Sequence, residues 1–325
     1  MSLLLIGLVW GLTATGSGAR VRGNDSPDDS ATTKADPSTS TSSTEADPRA
    51  TTVPNVPFAL AAPSGYSASE LTFQDTFGGT SLNQSNWNTY ITSNGSGGAP
   101  WNSNGAGGSG VQNPRGITSL DYDLPTQLSV DNGLAIMAQQ TPTPGDLHGA
   151  PQSFSWRSGV ISSYDKFETL GGYVQIEAKV PTGNGLWPAF WMLPGPSGTA
   201  GDNFEIDIFE GGFLSGASPP DDVYSWHLET PAGPTGGTTN VGVNVTAGYH
   251  VYAIEWVPGQ SIRWFFDGRQ VGELTRSQAP IPDEPMELIM NLGVASPATG
   301  TYRSIPDAST PRSATMLVHE VQVYR

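Results

Sequence analysis

The chain has 325 residues, 36% hydrophobic and only 14% charged, with 40 glycines and 27 prolines; this excludes a coiled coil or helical bundle and favours short strands joined by turns. It has no cysteine, which excludes disulfides and thiolate metal sites. A formal net charge of −16 and only 14 basic residues, none in a run, argue against nucleic acid or an anionic membrane as partner and favour a neutral one.

Residues 3–12, LLLIGLVWGL, form an apolar run too short to span a bilayer but of the length of a signal-peptide core. Ser17 and Ala19 then offer a small-x-small cleavage site. Residues 1–22 are therefore expected to be a signal peptide of a secreted protein; an uncleaved segment that anchors the protein at the cell surface is the alternative. Residues 23–65 are Ser, Thr, Pro, Asp and Ala with almost no large apolar residue before Val53. Such a composition cannot offset the entropy of ordering, so this stretch is predicted to be a disordered linker. Most of the acidity belongs to the remaining 66–325.

From Tyr66 onward strands dominate. YVQIEAKV (173–180) alternates, with Val174, Ile176, Ala178 and Val180 on one face. VYAIEWVPG (251–259) and SIRWFFDGRQVGEL (261–274) read as strands, the latter folded into a hairpin by Asp267-Gly268. MELIMNLGV (286–294) and TMLVHEVQVY (315–324) are two more. No long amphipathic helix or internal repeat interrupts them. The expectation is one all-β domain, a two-sheet sandwich or jelly roll.

Within GDNFEIDIFEGG (201–212), Glu205, Asp207 and Glu210 crowd three acids into six positions. Glu205 and Asp207 share a strand face and Ile206 and Ile208 take the other. Glu210 lies an odd number of residues from Glu205, so it joins that face only if a one-residue bulge falls near Phe209. Three uses of such acids stay open: oxygen ligands for a hard cation, although the loop pattern of a Ca²⁺ site is missing; a solvated strand face; or glycoside hydrolysis. A retaining glycosidase needs two carboxyls about 5–5.5 Å apart, one to attack the anomeric carbon and one to protonate the leaving oxygen. Trp187 and Trp191 stand just upstream, and Trp156, Phe204 and Trp226 are near in sequence. Flat rings of this kind either stack on sugars or fill a core.

FEIDIFE resembles the E-x-D-x-x-E motif of glycoside hydrolase family 16, in its β-bulge, laminarinase-like branch. LTFQDTF with LNQSNW (71–87), LSVDNGLAIMA (128–138), WRSGVISS (156–163), GGYVQIEAKVPTGNGLWPAFWMLP (171–194), HVYAIEWVPGQSIRWFFDG (250–268) and ELIMNLGVA (287–295) follow in the order of that family. The resemblance implies a concanavalin-like β-jelly roll of two curved antiparallel sheets with a glycan cleft on the concave face. It implies Glu205 as nucleophile, Glu210 as general acid/base and Asp207 as the residue that orients and tunes Glu205. Trp187 and Trp191 match its W-P-A-x-W segment beside the cleavage point, and Asn291 is expected to face the cleft. Asn203-Phe204 before the motif and the long Gly/Asn-rich stretch 93–114 depart from the usual pattern, where substrate choice is set.

Of the histidines, His250 and His319 sit in strand patterns and are expected to be structural, His148 carries no assignment, and His227 in YSWHLE is placed over the cleft. No two have zincin spacing, so no metal site and no cofactor is expected; a structural Ca²⁺ cannot be read from the sequence. Sequons at Asn83, Asn94 and Asn244 matter only in a host that glycosylates. The expected function is that of a secreted, monomeric, retaining endo-β-glycanase whose partner is a polysaccharide, first β-1,3-glucan, then mixed β-1,3/1,4-glucan or a bacterial exopolysaccharide. The alternative from another class is a non-catalytic β-glucan-binding lectin, which has no reason to keep all three acids.

Overall fold

The alternating runs become strands of two stacked sheets in a computed structural model, which describes residues 59–92, 112–113, 116–117, 119–147, 150–198, 203–212, 220–297 and 304–325. In chain order the first strands are β1 (Leu71–Asp75), β2 (Gln112–Asn113), β3 (Gly116–Ile117), β4 (Asp121–Asp123), β5 (Leu128–Val130), β6 (Leu134–Gln139), β7 (Thr143–Leu147) and β8 (Ala150–Phe154). β9 (Trp156–Ser158), β10 (Val160–Ser162), β11 (Gly172–Lys179), β12 (Leu186–Pro194), β13 (Glu205–Glu210) and β14 (Val223–Glu229) follow. β15 (Thr235–Asn240), β16 (His250–Val257), β17 (Ser261–Phe266), β18 (Arg269–Thr275), β19 (Met286–Val294) and β20 (Ser313–Tyr324) complete the set.

Ten strands make one sheet, in the order β18-β17-β16-β11-β20-β6-β9-β4, with β1 also on β20 and β5 on β6. Six make the other, in the order β10-β19-β12-β13-β14-β15, and the remaining four form two small pairs, β2-β3 and β7-β8. Pairing is antiparallel except between β4 and β9, which run parallel, a departure from the purely antiparallel sheets expected. The architecture is the β-jelly-roll sandwich that the strand pattern predicts.

The main core lies between the sheets. It takes Val174, Ile176 and Ala178 from β11, Ile254 and Trp256 from β16, and Leu288, Met290 and Leu292 from β19. Every second residue of these strands points inward, as a period of two requires. Phe209, Tyr224, Tyr252 and Phe266 interlock there, Phe209 and Tyr252 with ring centres 4.2 Å apart. A second, smaller apolar cluster of Ile91, Val160, Ala189, Trp191, Leu193 and Ile289 lies apart from that core. All but Ile91 come from core-averse positions of β10, β12 and β19, so this cluster marks the outer face of the six-stranded sheet.

Two local features explain why sequence motifs kept their meaning. Asp75, closing β1, accepts the Phe77 N–H at 2.8 Å with one oxygen and the Trp87 indole N–H at 2.8 Å with the other. That ties LTFQDTF to the tryptophan of LNQSNW. Asp267 and Gly268 both have positive φ, 47° and 74°, as a two-residue type I′ hairpin between β17 and β18 requires. The linker boundary needs correction. Of the predicted linker 23–65, the described end packs on the domain: Leu60 is buried, and its N–H donates to Glu320 at 3.2 Å. Gln175 reaches the Ala61 carbonyl at 3.0 Å. Residues 1–58, with the expected signal peptide, lie outside the described residues.

Candidate active site

β13 contains the bulge. Ile206 and Asp207 face Met192 and Trp191 of β12, but the next pairs are Phe209 with Phe190 and Glu210 with Ala189, so Ile208 is the extra residue. On the β14 side the same slip separates the Asp207–His227 pair from Glu210–Ser225. Ile208 and Phe209 both enter the main core together with Ile206. Two consecutive apolar residues inward restore the phase, and Glu210 emerges on the face of Asp207. Asp207 is 3% and Glu210 7% exposed, while Glu205 is half-buried.

A bulge breaks the ladder and leaves carbonyls to satisfy. Here the core supplies the donors: the Tyr224 hydroxyl donates to the Ile208 carbonyl and the Trp264 indole N–H to the Asp207 carbonyl at 2.8 Å. A buried acceptor without such a partner costs about 1–3 kcal/mol. Burial raises the Tyr224 hydroxyl well above the usual tyrosine range, with the nearby Tyr252 adding to it, so this donor keeps its proton.

The acids meet their neighbours along rungs of the sheet. Glu210 stands between Ala189 and Ser225, Asp207 between Trp191 and His227, and Glu205 opposite Glu229. The Trp187 indole N–H donates to Glu210 Oε1 at 2.9 Å, and His227 Nδ1 lies 3.0 Å from Glu210 Oε2. Both oxygens of Glu210 are thus held by nitrogen neighbours. Gly236, paired with His227 on β15, leaves room for that ring: a Cβ there would stand 2.7 Å from His227 Cδ2. One ligand atom each of Asp207, Glu210 and His227 lie within 4.8 Å of one another. Among the described residues this is the one such group with cation-site spacing. Trp191 donates its indole N–H to Asn291 Oδ1 at 2.9 Å on the same face.

The structure thus gathers Glu205, Asp207, Glu210, Trp187, Trp191, His227 and Asn291. Two expected sugar contacts are corrected. Trp156 is 2% exposed and sits in the main core, its side chain taken by the sandwich interior. Phe204, one residue from Glu205, turns to the opposite side and packs against the same core. Trp226 does likewise, with its ring centre 4.8 Å from that of Trp264. His250 is buried against Asp267 at 2.7 Å and His319 lies 2.5 Å from Glu177, so both are tied into the scaffold. Asn83 and Asn244 are exposed. His148, Asn94 and most of 93–114 lie outside the described residues.

Two residues of the site went unread in the sequence. Ser225 is fully buried opposite Glu210, and its hydroxyl has no hydrogen-bond partner among the described residues. Glu229 is half-buried opposite Glu205, and burial, then the charge of Glu210, raises its pKa to about 7. The signal was available: counting in twos from His227 reaches both.

The sequence model of glycosyl hydrolases family 16 matches residues 122–307. A glucan endo-1,3-beta-glucosidase A1 of Niallia circulans is 33% identical over 279 residues, which cover 78% of this chain and 38% of that protein. A beta-glucanase of Rhodothermus marinus is 36% identical over 173 residues, 47% of this chain and 57% of its own length. An endo-1,3-1,4-beta-glycanase of Rhizobium meliloti is 29% identical over 175 residues, 53% of this chain and 35% of its own length. The chain therefore spans between about a third and three fifths of the curated relatives it matches. Among solved structures, the catalytic domain of an endo-1,3-beta-glucanase (laminarinase) from Thermotoga petrophila RKU-1 superposes with a TM-score of 0.62 at 25% identity, covering 78% of this chain and 97% of that one.

Proposed function

The chain belongs to glycosyl hydrolases family 16, and from that membership we propose that it is a secreted, retaining endo-β-glycanase that cleaves β-1,3-glucan. One observation carries the reading: the bulge at Ile208 turns Glu205, Asp207 and Glu210 onto one outer sheet face, beside two tryptophans.

The chemistry follows from those positions. The Glu205 carboxylate attacks the anomeric carbon and the glycosidic C–O bond breaks, while Glu210 gives its proton to the departing oxygen. A glycosyl ester on Glu205 results. Glu210, now a carboxylate, takes a proton from water, the water oxygen attacks the same carbon, and Glu205 leaves; two inversions retain the configuration. Trp187 and His227 fix the two oxygens of Glu210 so that its proton is aimed at one place. Asp207 stands on the rung between nucleophile and acid and holds the spacing.

The test is reducing-sugar release from laminarin, curdlan, barley β-glucan, agarose and an acidic exopolysaccharide, with the anomer of the first product read by proton NMR. Laminarin is expected to be cleaved to the β-anomer, and Glu205→Gln to lower kcat by at least about 10⁴-fold with binding kept. An α-anomer would end the retaining mechanism. Preference for barley β-glucan would move the substrate to mixed linkages, like those named for the endo-1,3-1,4-beta-glycanase of Rhizobium meliloti. Laminarin bound but uncut would leave a lectin.

A further inference from the structure

Glu229 closes β14 and stands directly across the ladder from Glu205. The period of two that brings His227 to Glu210 puts Glu229 on the same outer face. Residues opposed on an antiparallel pair have Cβ atoms about 4.5–5.5 Å apart, and like charges so placed repel. A second carboxyl beside the nucleophile therefore needs a reason.

Structural acids of this protein show what satisfaction looks like. Glu320, buried on the ten-stranded sheet, accepts from the amides of Gln74 and Gln322 and from the Leu60 N–H. The Glu229 carboxyl has neither a hydrogen bond nor an ion pair with any described residue. Removing a carboxyl from water without a partner costs free energy, which a hydrogen bond to a bound hydroxyl would recover. The open side of Glu229 is the face on which the scissile bond must lie if Glu205 and Glu210 are to reach it.

We infer that Glu229 binds the glycone: its carboxyl hydrogen-bonds a ring hydroxyl of the sugar unit on the nucleophile's side of the scissile bond. The assignment rests on the glucanase reading above. With its pKa raised to about 7, the group is a neutral carboxyl at mildly acid pH. It then both donates to and accepts from a sugar hydroxyl, and Glu205 faces no second negative charge. Glutamine reproduces that donor–acceptor pair; leucine does not.

The experiment compares full-length wild type, Glu229→Gln and Glu229→Leu on laminarin and on nitrophenyl β-laminaribioside. Wild-type turnover of laminarin, read first, tests the glucanase reading by itself. Glu229→Leu is expected to lose about 10–100-fold in kcat/KM on both substrates, because both carry the glycone, with an unchanged or higher melting temperature. Glu229→Gln is expected to stay within about threefold of wild type. A loss on laminarin alone would put the contact on the leaving-group side and overturn the assignment. Three equal enzymes would overturn it too, as would a glutamine variant as weak as the leucine one.

Discussion

Two strands, one in each sheet, carry a one-residue bulge flanked by glutamates, and they use it in opposite ways. In β13 the extra residue is Ile208, and the doubled pair Ile208-Phe209 goes into the core. In β20 the extra residue is His319: Glu177 pairs with Glu320 and Ala178 with Val318, while Val318 and Val321 both stay in the core. The doubled pair, His319-Glu320, is therefore on the outer face. There His319 turns onto Glu177, and Glu320 takes its three N–H donors. Ala59–Gly65 brings one of those donors, the Leu60 N–H. In β13 the acids meet Trp187 and His227 on a face that stays open to a ligand. The same backbone device thus makes a closed structural clasp in one sheet and, in the other, sets carboxyls beside Trp187 and His227 on the outer face. The difference lies in which face receives the extra residue and in whether the neighbours saturate the acids.

The largest effect that can break this contrast concerns Glu210. Glu210→Ala is expected to slow laminarin hydrolysis by about 10²–10⁴-fold while sparing cleavage of a nitrophenyl β-laminaribioside, whose leaving group needs no proton. Steady-state kinetics on both substrates check it, and equal losses would remove Glu210 from the acid/base role. The second test separates the two bulges. Tyr224→Phe deletes the hydroxyl that holds the Ile208 carbonyl and is expected to lower kcat by roughly tenfold, with about 1–3 kcal/mol lost in denaturant unfolding. His319→Ala, at the other bulge, is expected to lose a similar amount of stability with kcat/KM within about twofold of wild type. A kcat loss in His319→Ala as deep as that in Tyr224→Phe would erase the distinction.

The smallest effect concerns acids that no bulge serves. Asp121 and Asp123 of β4 are both buried, and one oxygen of Asp123 has no hydrogen-bond partner among the described residues. Burial raises Asp121 to about 6; burial, then the charge of Asp121, raises Asp123 well above the ordinary carboxyl value of 3.8. The folded state then holds protons that the unfolded chain releases above about pH 4, so stability falls as the pH rises from there through the folded pKa values. Asp123→Asn is expected to melt like wild type near pH 4 and above wild type at pH 8. Melting curves at the two pH values decide it, and a constant difference would mean that Asp123 does not titrate with folding.

Much of this was legible in the chain. The bulge in β13 shows as Ile208-Phe209, two apolar residues in a row within an alternating acid pattern, and that in β20 as His319-Glu320, two polar ones in a row. The hairpin at Asp267-Gly268 follows from residues that accept positive φ. The acids, Trp187, Trp191, His227 and Asn291 could be placed on one face by parity and by the family resemblance. Trp156 and Phe204 could not, because nearness in sequence says nothing of which side of a sheet a ring takes, and each is in the core or packed on it.

Local sequence therefore determined what depends on one strand at a time: period, turn chemistry and the phase slip that re-aims Glu210. The tertiary structure decided what depends on which strands become neighbours. It set Glu229 opposite Glu205, brought Tyr224 and Trp264 to the carbonyls of the bulge, and gave Glu320 its donors from Leu60 and Gln74, some 250 residues away in the chain. The physical reason is that a strand's pattern fixes which side chains share a face, whereas cross-strand pairing, set by the packing of the whole sandwich, fixes what each of them meets.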